Sequence, residues 1–180
     1  TGSPDCFADE TYSLACRNAM NYYLATIWET DRELAKLMDW LRDDEEPVVL
    51  VTFGDHLPWM GDGNVFYEEM GIDVDPGTEE GFYRHYTTRY LIWANGAARA
   101  LLGKDLQGQG PDISPCYLMN LVFQQLGWEG PAFMQAMTGM MNMFPVVSSA
   151  SGLTMVDGRL TADIPEDRRA LFQEFLYLQQ

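Results

Sequence analysis

Two histidines, three cysteines and 11 basic residues are a small supply for a chain of 180 residues. Each shortage excludes something. Eleven Lys and Arg against 27 Asp and Glu leave a formal charge of −16. Nucleic-acid binding needs clustered cations on the phosphates, so that class is excluded, and so is electrostatic binding to an anionic membrane. No run of 18 apolar residues is present, which excludes a membrane-spanning helix within this sequence. Two histidines cannot build a three-His metal site. The cysteines, Cys6, Cys16 and Cys116, show no C-x-x-C spacing, so neither a structural zinc site nor a thioredoxin-like dithiol is supported. Three separate thiols are the first expectation, with a Cys6–Cys16 pair as the alternative in an oxidising compartment. Neither an initiator Met nor a basic-then-apolar leader opens the sequence, so the expectation is a processed product or an excised piece.

What is present is apolar material: 47% hydrophobic and 13% aromatic residues. That composition argues for a packed core and against disorder, and the length predicts one domain or a large piece of one. The charge is unevenly placed. Residues 1–80 carry 19 acidic and 4 basic residues, whereas residues 81–180 carry 8 and 7. An anionic ligand would need a compensating cation in the first half.

Helical spacing of Ile27, Leu34, Leu37, Met38 and Leu41 predicts a long helix over residues 12–42. Asp43-Asp44-Glu45-Glu46-Pro47 ends it as a solvated acidic loop. Residues 48–53, Val-Val-Leu-Val-Thr-Phe, are apolar without alternation, the pattern of a strand covered on both faces as in a parallel sheet. Residues 57–84 are rich in Gly, Asp and Glu and predict a loop. Residues 90–94 predict a second strand ending at the Asn95-Gly96 turn signal. Ser114 and Pro115 mark a helix start, with Leu118, Leu121, Val122 and Leu126 as its buried stripe and Gly127 as its left-handed stop. A Met-rich helix follows Pro131, its stripe read as core packing ahead of an adaptable groove. A hairpin around Asp157-Gly158 and a terminal helix from Pro165, with Leu171, Phe172, Phe175 and Leu176 inward, complete an α/β architecture.

The sharpest chemical signal is Gly54-Asp55-His56 immediately after the first strand. Ligands of open α/β sheets sit beyond the carboxyl ends of strands. A carboxylate beside an imidazole suits a divalent ion such as Mn²⁺, Mg²⁺ or Zn²⁺, with Gly54 allowing a tight turn. The competing reading is a solvated loop in which Asp55 caps a turn. His85, among Tyr83, Arg84 and Tyr86, reads as a satisfied loop edge ahead of a phosphate or sugar contact.

The run from Tyr22 through Trp28-Glu29-Thr30-Asp31-Arg32-Glu33-Leu34, followed by the strand into Gly54-Asp55-His56-Leu57-Pro58, resembles the lipoteichoic acid synthase and phosphoglycerol transferase family. These are sulfatase-like members of the alkaline phosphatase superfamily. Thr87-Thr88-Arg89-Tyr90-Leu91-Ile92-Trp93-Ala94-Asn95 resembles the family's next strand, and Asp112-Ile113-Ser114-Pro115 with Leu126-Gly127 its following helix. The resemblance implies an alkaline phosphatase/sulfatase-like mixed sheet flanked by helices. It implies metal-dependent phosphoryl transfer from a glycerophosphate lipid or related anionic ester, in the extracytoplasmic domain of a membrane-anchored parent. Asp55 and His56 match the family's Asp-His metal ligands, with Mn the first expectation and Mg or Zn the others. The ion would supply the cation that the acidic half lacks.

The departures shape the expectation. The family's nucleophilic Thr and first acidic ligand have no counterpart in residues 1–21, and Thr26, Thr30 and Thr52 sit in predicted scaffold. Arg89 stands where relatives often carry Pro, and Cys116 where they carry Thr. The chain is therefore expected to be the C-terminal part of one sulfatase-like domain, residues 1–127 matching its core and 128–180 forming a helix, hairpin and helix. It would hold two metal ligands and no nucleophile, bind metal weakly and be inactive without its N-terminal half. Exposed sheet edge or apolar surface would favour self-association. The alternative is a non-catalytic binding or scaffold domain that keeps the sheet. A sulfatase proper has no support, since no cysteine lies in a C-x-P-x-R setting.

Overall fold

The computed structural model describes residues 7–178, so Cys6 and its pairing lie outside the described residues. The chain is α/β and divides into two compact units, one ending at Asp105 and the other beginning at Leu106.

In the first unit, α1 runs Leu14–Arg42. Ser13 caps it by accepting from the Cys16 N–H at 3.1 Å. Glu69 in turn accepts from the Ser13 hydroxyl at 2.9 Å and from its backbone N–H. Only Cys16 and Leu41 of this helix are buried; Ile27 and Leu37 of the apolar stripe are exposed, as are Tyr22 and Trp40. The helix was legible from its periodicity, but its stripe is only partly covered: Leu41 is buried, Leu34 and Met38 are half-buried, and Ile27 and Leu37 are exposed.

Strand β1 (Val49–Phe53) pairs antiparallel with β2 (Tyr90–Ala94), with Val49 opposite Ala94 and Phe53 opposite Tyr90. This corrects the parallel, doubly covered strand suggested by the apolar run: Val49 to Thr52 are half-buried and Phe53 is exposed. An unbroken apolar run reports affinity for cover, not the direction of the neighbouring strand. Between the strands, the expected loop contains two helices, α2 (Val65–Glu69) and α3 (Glu79–Tyr86).

Asn95 does more than turn the chain. Fully buried, it accepts from the N–H groups of Val48 (3.1 Å) and Ala98 (2.9 Å). Its amide donates to the carbonyls of Leu41 (3.2 Å), Asp44 (3.1 Å) and Glu46 (2.8 Å). One side chain thus caps α4 (Gly96–Leu102), satisfies the end of α1 and sets the start of β1.

The second unit packs α5 (Leu118–Leu126), α6 (Ala132–Met143) and α7 (Glu166–Leu178) with a three-stranded antiparallel sheet. Its strands are β3 (Val147–Ser148), β4 (Leu153–Val156) and β5 (Arg159–Thr161). Gly127 ends α5 at φ 71°, as expected of a left-handed stop. Asp157 and Gly158, both at positive φ, make the β4–β5 turn. Met137, Met140 and Met141 are buried, so the Met stripe is core. Two details differ from the sequence reading. The Ser114 hydroxyl makes no cap bond; it accepts from the Val147 N–H at 2.8 Å and donates to the Val147 carbonyl at 2.9 Å. Leu176 is exposed, while Phe175 is buried against Tyr117 and Phe172.

Candidate metal-binding site

The ladder between β1 and β2 continues one step beyond the strands, where the Gly54 N–H donates to the Arg89 carbonyl at 2.9 Å. The Thr88 hydroxyl then donates to the Gly54 carbonyl at 2.8 Å. Gly54 is not in the left-handed region. Its lack of a side chain serves close approach: a Cβ there would meet the Thr88 Cβ at 3.1 Å. The loop after β1 is thereby anchored on its inner side up to the residue before Asp55.

Asp55 and His56 project from that anchor with side chains 80% and 74% exposed. One carboxylate oxygen of Asp55, Oδ1, accepts from the His56 backbone N–H at 2.9 Å. On the other side, His56 Nδ1 lies 2.9 Å from the Leu57 carbonyl. A carbonyl only accepts, so this contact requires the proton on Nδ1. Nε2 lies 3.3 Å from Asp55 Oδ2; it carries a proton toward the carboxylate in the imidazolium form and a lone pair, open to a metal ion, in the neutral form. Two acceptors facing one another need a proton or a cation between them.

A divalent ion fits that pair. Bonds of about 2.1 Å at a roughly tetrahedral to octahedral angle hold two donors about 3.0–3.4 Å apart. The Leu57 carbonyl holds Nδ1, as a backbone carbonyl commonly does for a histidine that binds a metal through its other nitrogen. The set is nonetheless small. Among the described residues no group of three His, Cys, Asp or Glu could hold a metal ion.

The other candidates stand elsewhere. His85 belongs to α3, with Nδ1 at 3.0 Å from the Val74 carbonyl and its ring 4.7 Å from that of Tyr86. Arg84 pairs with Glu80 at 2.5 Å. Thr26 and Thr30 donate their hydroxyls to carbonyls within α1, at 2.7 and 2.8 Å, as scaffold threonines do. Cys16 is buried, and burial raises its thiol pKa above the ordinary value; Cys116 is exposed by surface area, and neither is in a disulfide. The sequence carried no signal for the Leu57 carbonyl, because a backbone acceptor has no residue type, nor for the Thr88 hydroxyl, whose partner Gly54 lies 34 residues away.

The sulfatase family model, whose description is Sulfatase, matches residues 1–128. The chain belongs to the sulfatase family. The match takes in the β1–β2 pair, the Gly54-Asp55-His56 loop and α5. A relative in Rhizobium meliloti (strain 1021), provisionally named a cyclic beta-1,2-glucan modification protein, is 27% identical over 125 residues. Those residues make up 66% of this chain and 18% of the relative, so the chain spans about a fifth of the relative's length. No solved structure matches. Sulfatase-family proteins, within the alkaline phosphatase superfamily, are generally metal-dependent hydrolases or transferases. Among the described residues, no helix is long and apolar enough to cross a membrane.

Proposed function

We propose that this chain supplies two metal donors, Asp55 and His56, to a sulfatase-like phosphoglycerol transferase or hydrolase. The nucleophile and the remaining ligands would come from elsewhere in the parent protein. The substrate class is a glycerophosphate-type anionic ester, and the name of the Rhizobium relative extends the reading to a glucan as the molecule modified. Mn²⁺ is the proposed ion, with Mg²⁺ and Zn²⁺ as alternatives, and the parent is proposed to be membrane-anchored with this domain outside the cytoplasm. The observation that carries the reading is the orientation of His56. With Nδ1–H given to Leu57, the neutral ring keeps its lone pair on Nε2, 3.3 Å from Asp55 Oδ2, so that one ion could meet both atoms.

A bound divalent ion would polarise the ester and favour ionisation of the attacking hydroxyl. The chain's own contribution is placement. Thr88 and Arg89 hold Gly54, Asp55 turns one oxygen to the His56 backbone N–H and the other toward His56 Nε2, and the Leu57 carbonyl holds the proton on Nδ1. Two donors bind an ion weakly, so the isolated chain is expected to be inactive and to hold Mn²⁺ poorly.

The test is made in the full parent protein. Asp55→Asn or His56→Gln should lower Mn²⁺ affinity by at least about 100-fold and abolish transfer. Retained phosphodiesterase and transferase activity in either variant would exclude the assignment and favour a scaffold domain.

A further inference from the structure

We propose that Trp59, with Asp62, forms a carbohydrate subsite next to the Asp55–His56 pair, an inference that rests on the glucan reading above. Trp59 is 73% exposed, yet both of its neighbours are fixed. The Pro58 carbonyl accepts from the Tyr67 hydroxyl at 2.9 Å. Met60 is 2% exposed, and its carbonyl accepts from the Phe66 N–H at 3.2 Å. Gly61 is buried, and its carbonyl accepts from the Asn64 N–H at 3.0 Å. The loop is stiff on both sides of a side chain that it leaves in water. Folding gains nothing from that arrangement, whereas binding does, because a pre-ordered aromatic loses little entropy when it meets a ligand.

The other exposed tryptophans are placed differently. Trp28 lies under the Arg32 guanidinium at 4.7 Å, Trp128 packs edge-on to Phe123, and Trp40 is on α1. Trp59 makes no ring contact and no hydrogen bond among the described residues, and the same holds for the hydrogen bonds of the exposed Asp62 carboxylate. An indole face carries negative quadrupole and attracts the C–H face of a pyranose. A free carboxylate accepts from vicinal hydroxyls. A protein interface core is instead depleted of charge, which sets this aromatic-plus-carboxylate loop apart. Three residues of chain span at most about 11 Å, so a sugar on Trp59 lies within one or two units of an ester held at His56.

The experiment titrates a β-1,2-linked glucose oligomer into the 180-residue chain and follows the five indole N–H signals by NMR. The Trp59 signal, assigned from Trp59→Phe, should shift and saturate. The oligomer's binding should be lost in Trp59→Ala and weakened in Asp62→Asn. In the parent enzyme, Trp59→Ala should raise KM for the glucan about tenfold, leaving kcat and Mn²⁺ affinity unchanged. A Trp59 signal indifferent to the oligomer overturns the subsite. So does a signal that responds only to protein concentration, which would assign Trp59 to a protein interface. Failure of the metal reading is distinguishable: it appears as activity retained in Asp55→Asn, whatever the oligomer does to Trp59.

Discussion

At the scale of single residues, the site depends on groups that hold Asp55 and His56 rather than on the pair alone. Thr88→Val removes the hydroxyl that donates to the Gly54 carbonyl while keeping the shape of the side chain. The expected cost is about 1 kcal/mol of unfolding free energy, checked by urea denaturation, with a several-fold loss of Mn²⁺ affinity in the parent by calorimetry. Unchanged affinity would show that the loop keeps its geometry without Thr88. The pairing of Asp55 with His56 was legible in the sequence because a carboxylate and an imidazole are adjacent there. Leu57 was not, since its carbonyl acts through backbone position. Nor was the role of Gly54, which answers to a neighbour 34 residues away.

Among elements, Asn95 decides how α1, β1 and α4 meet. Asn95→Ala strands the Val48 and Ala98 N–H groups and the carbonyls of Leu41, Asp44 and Glu46. A loss of at least about 3 kcal/mol is expected, read as a lower urea midpoint with an unchanged slope. Asn95→Asp keeps the cap to Ala98 but puts a carboxylate against three carbonyls, so it should rescue little. The Asn-Gly dipeptide signalled the turn correctly and concealed this function, because the three accepting carbonyls are 49 to 54 residues away from Asn95 in sequence. Ser114 shows the same limit. Its type and position suit a cap, yet Val147 takes both of its hydrogen bonds. By contrast α1, the α5 stop at Gly127 and the β4–β5 turn were legible, since periodicity, a left-handed glycine and an Asp-Gly pair act within a few residues.

For the whole molecule, the relevant quantities are charge and uncovered apolar surface. On α1 alone Tyr22, Ile27, Trp28, Leu37 and Trp40 are exposed, and Phe53 is exposed at the end of β1. Surface of this kind favours association, opposed by a net charge of −16. Sedimentation should therefore show a mass that rises with protein concentration and more steeply when salt screens the repulsion. A monomer at all concentrations and salt levels would contradict this. The acidic balance does not argue against a phosphate-bearing substrate, because an ion held by Asp55 and His56 would stand between carboxylates and anion. It continues to argue against nucleic acid.

The sequence alone determined the α/β class, most element positions and the adjacent Asp55 and His56, all of which depend on residue type and short-range order. Tertiary structure decided the antiparallel β1–β2 register, the anchoring of Gly54 by Thr88, the Asn95 junction and the display of Trp59 on a stiff loop. Those features join residues distant in sequence or use backbone groups that every residue shares, so their energies exist only once the chain has folded.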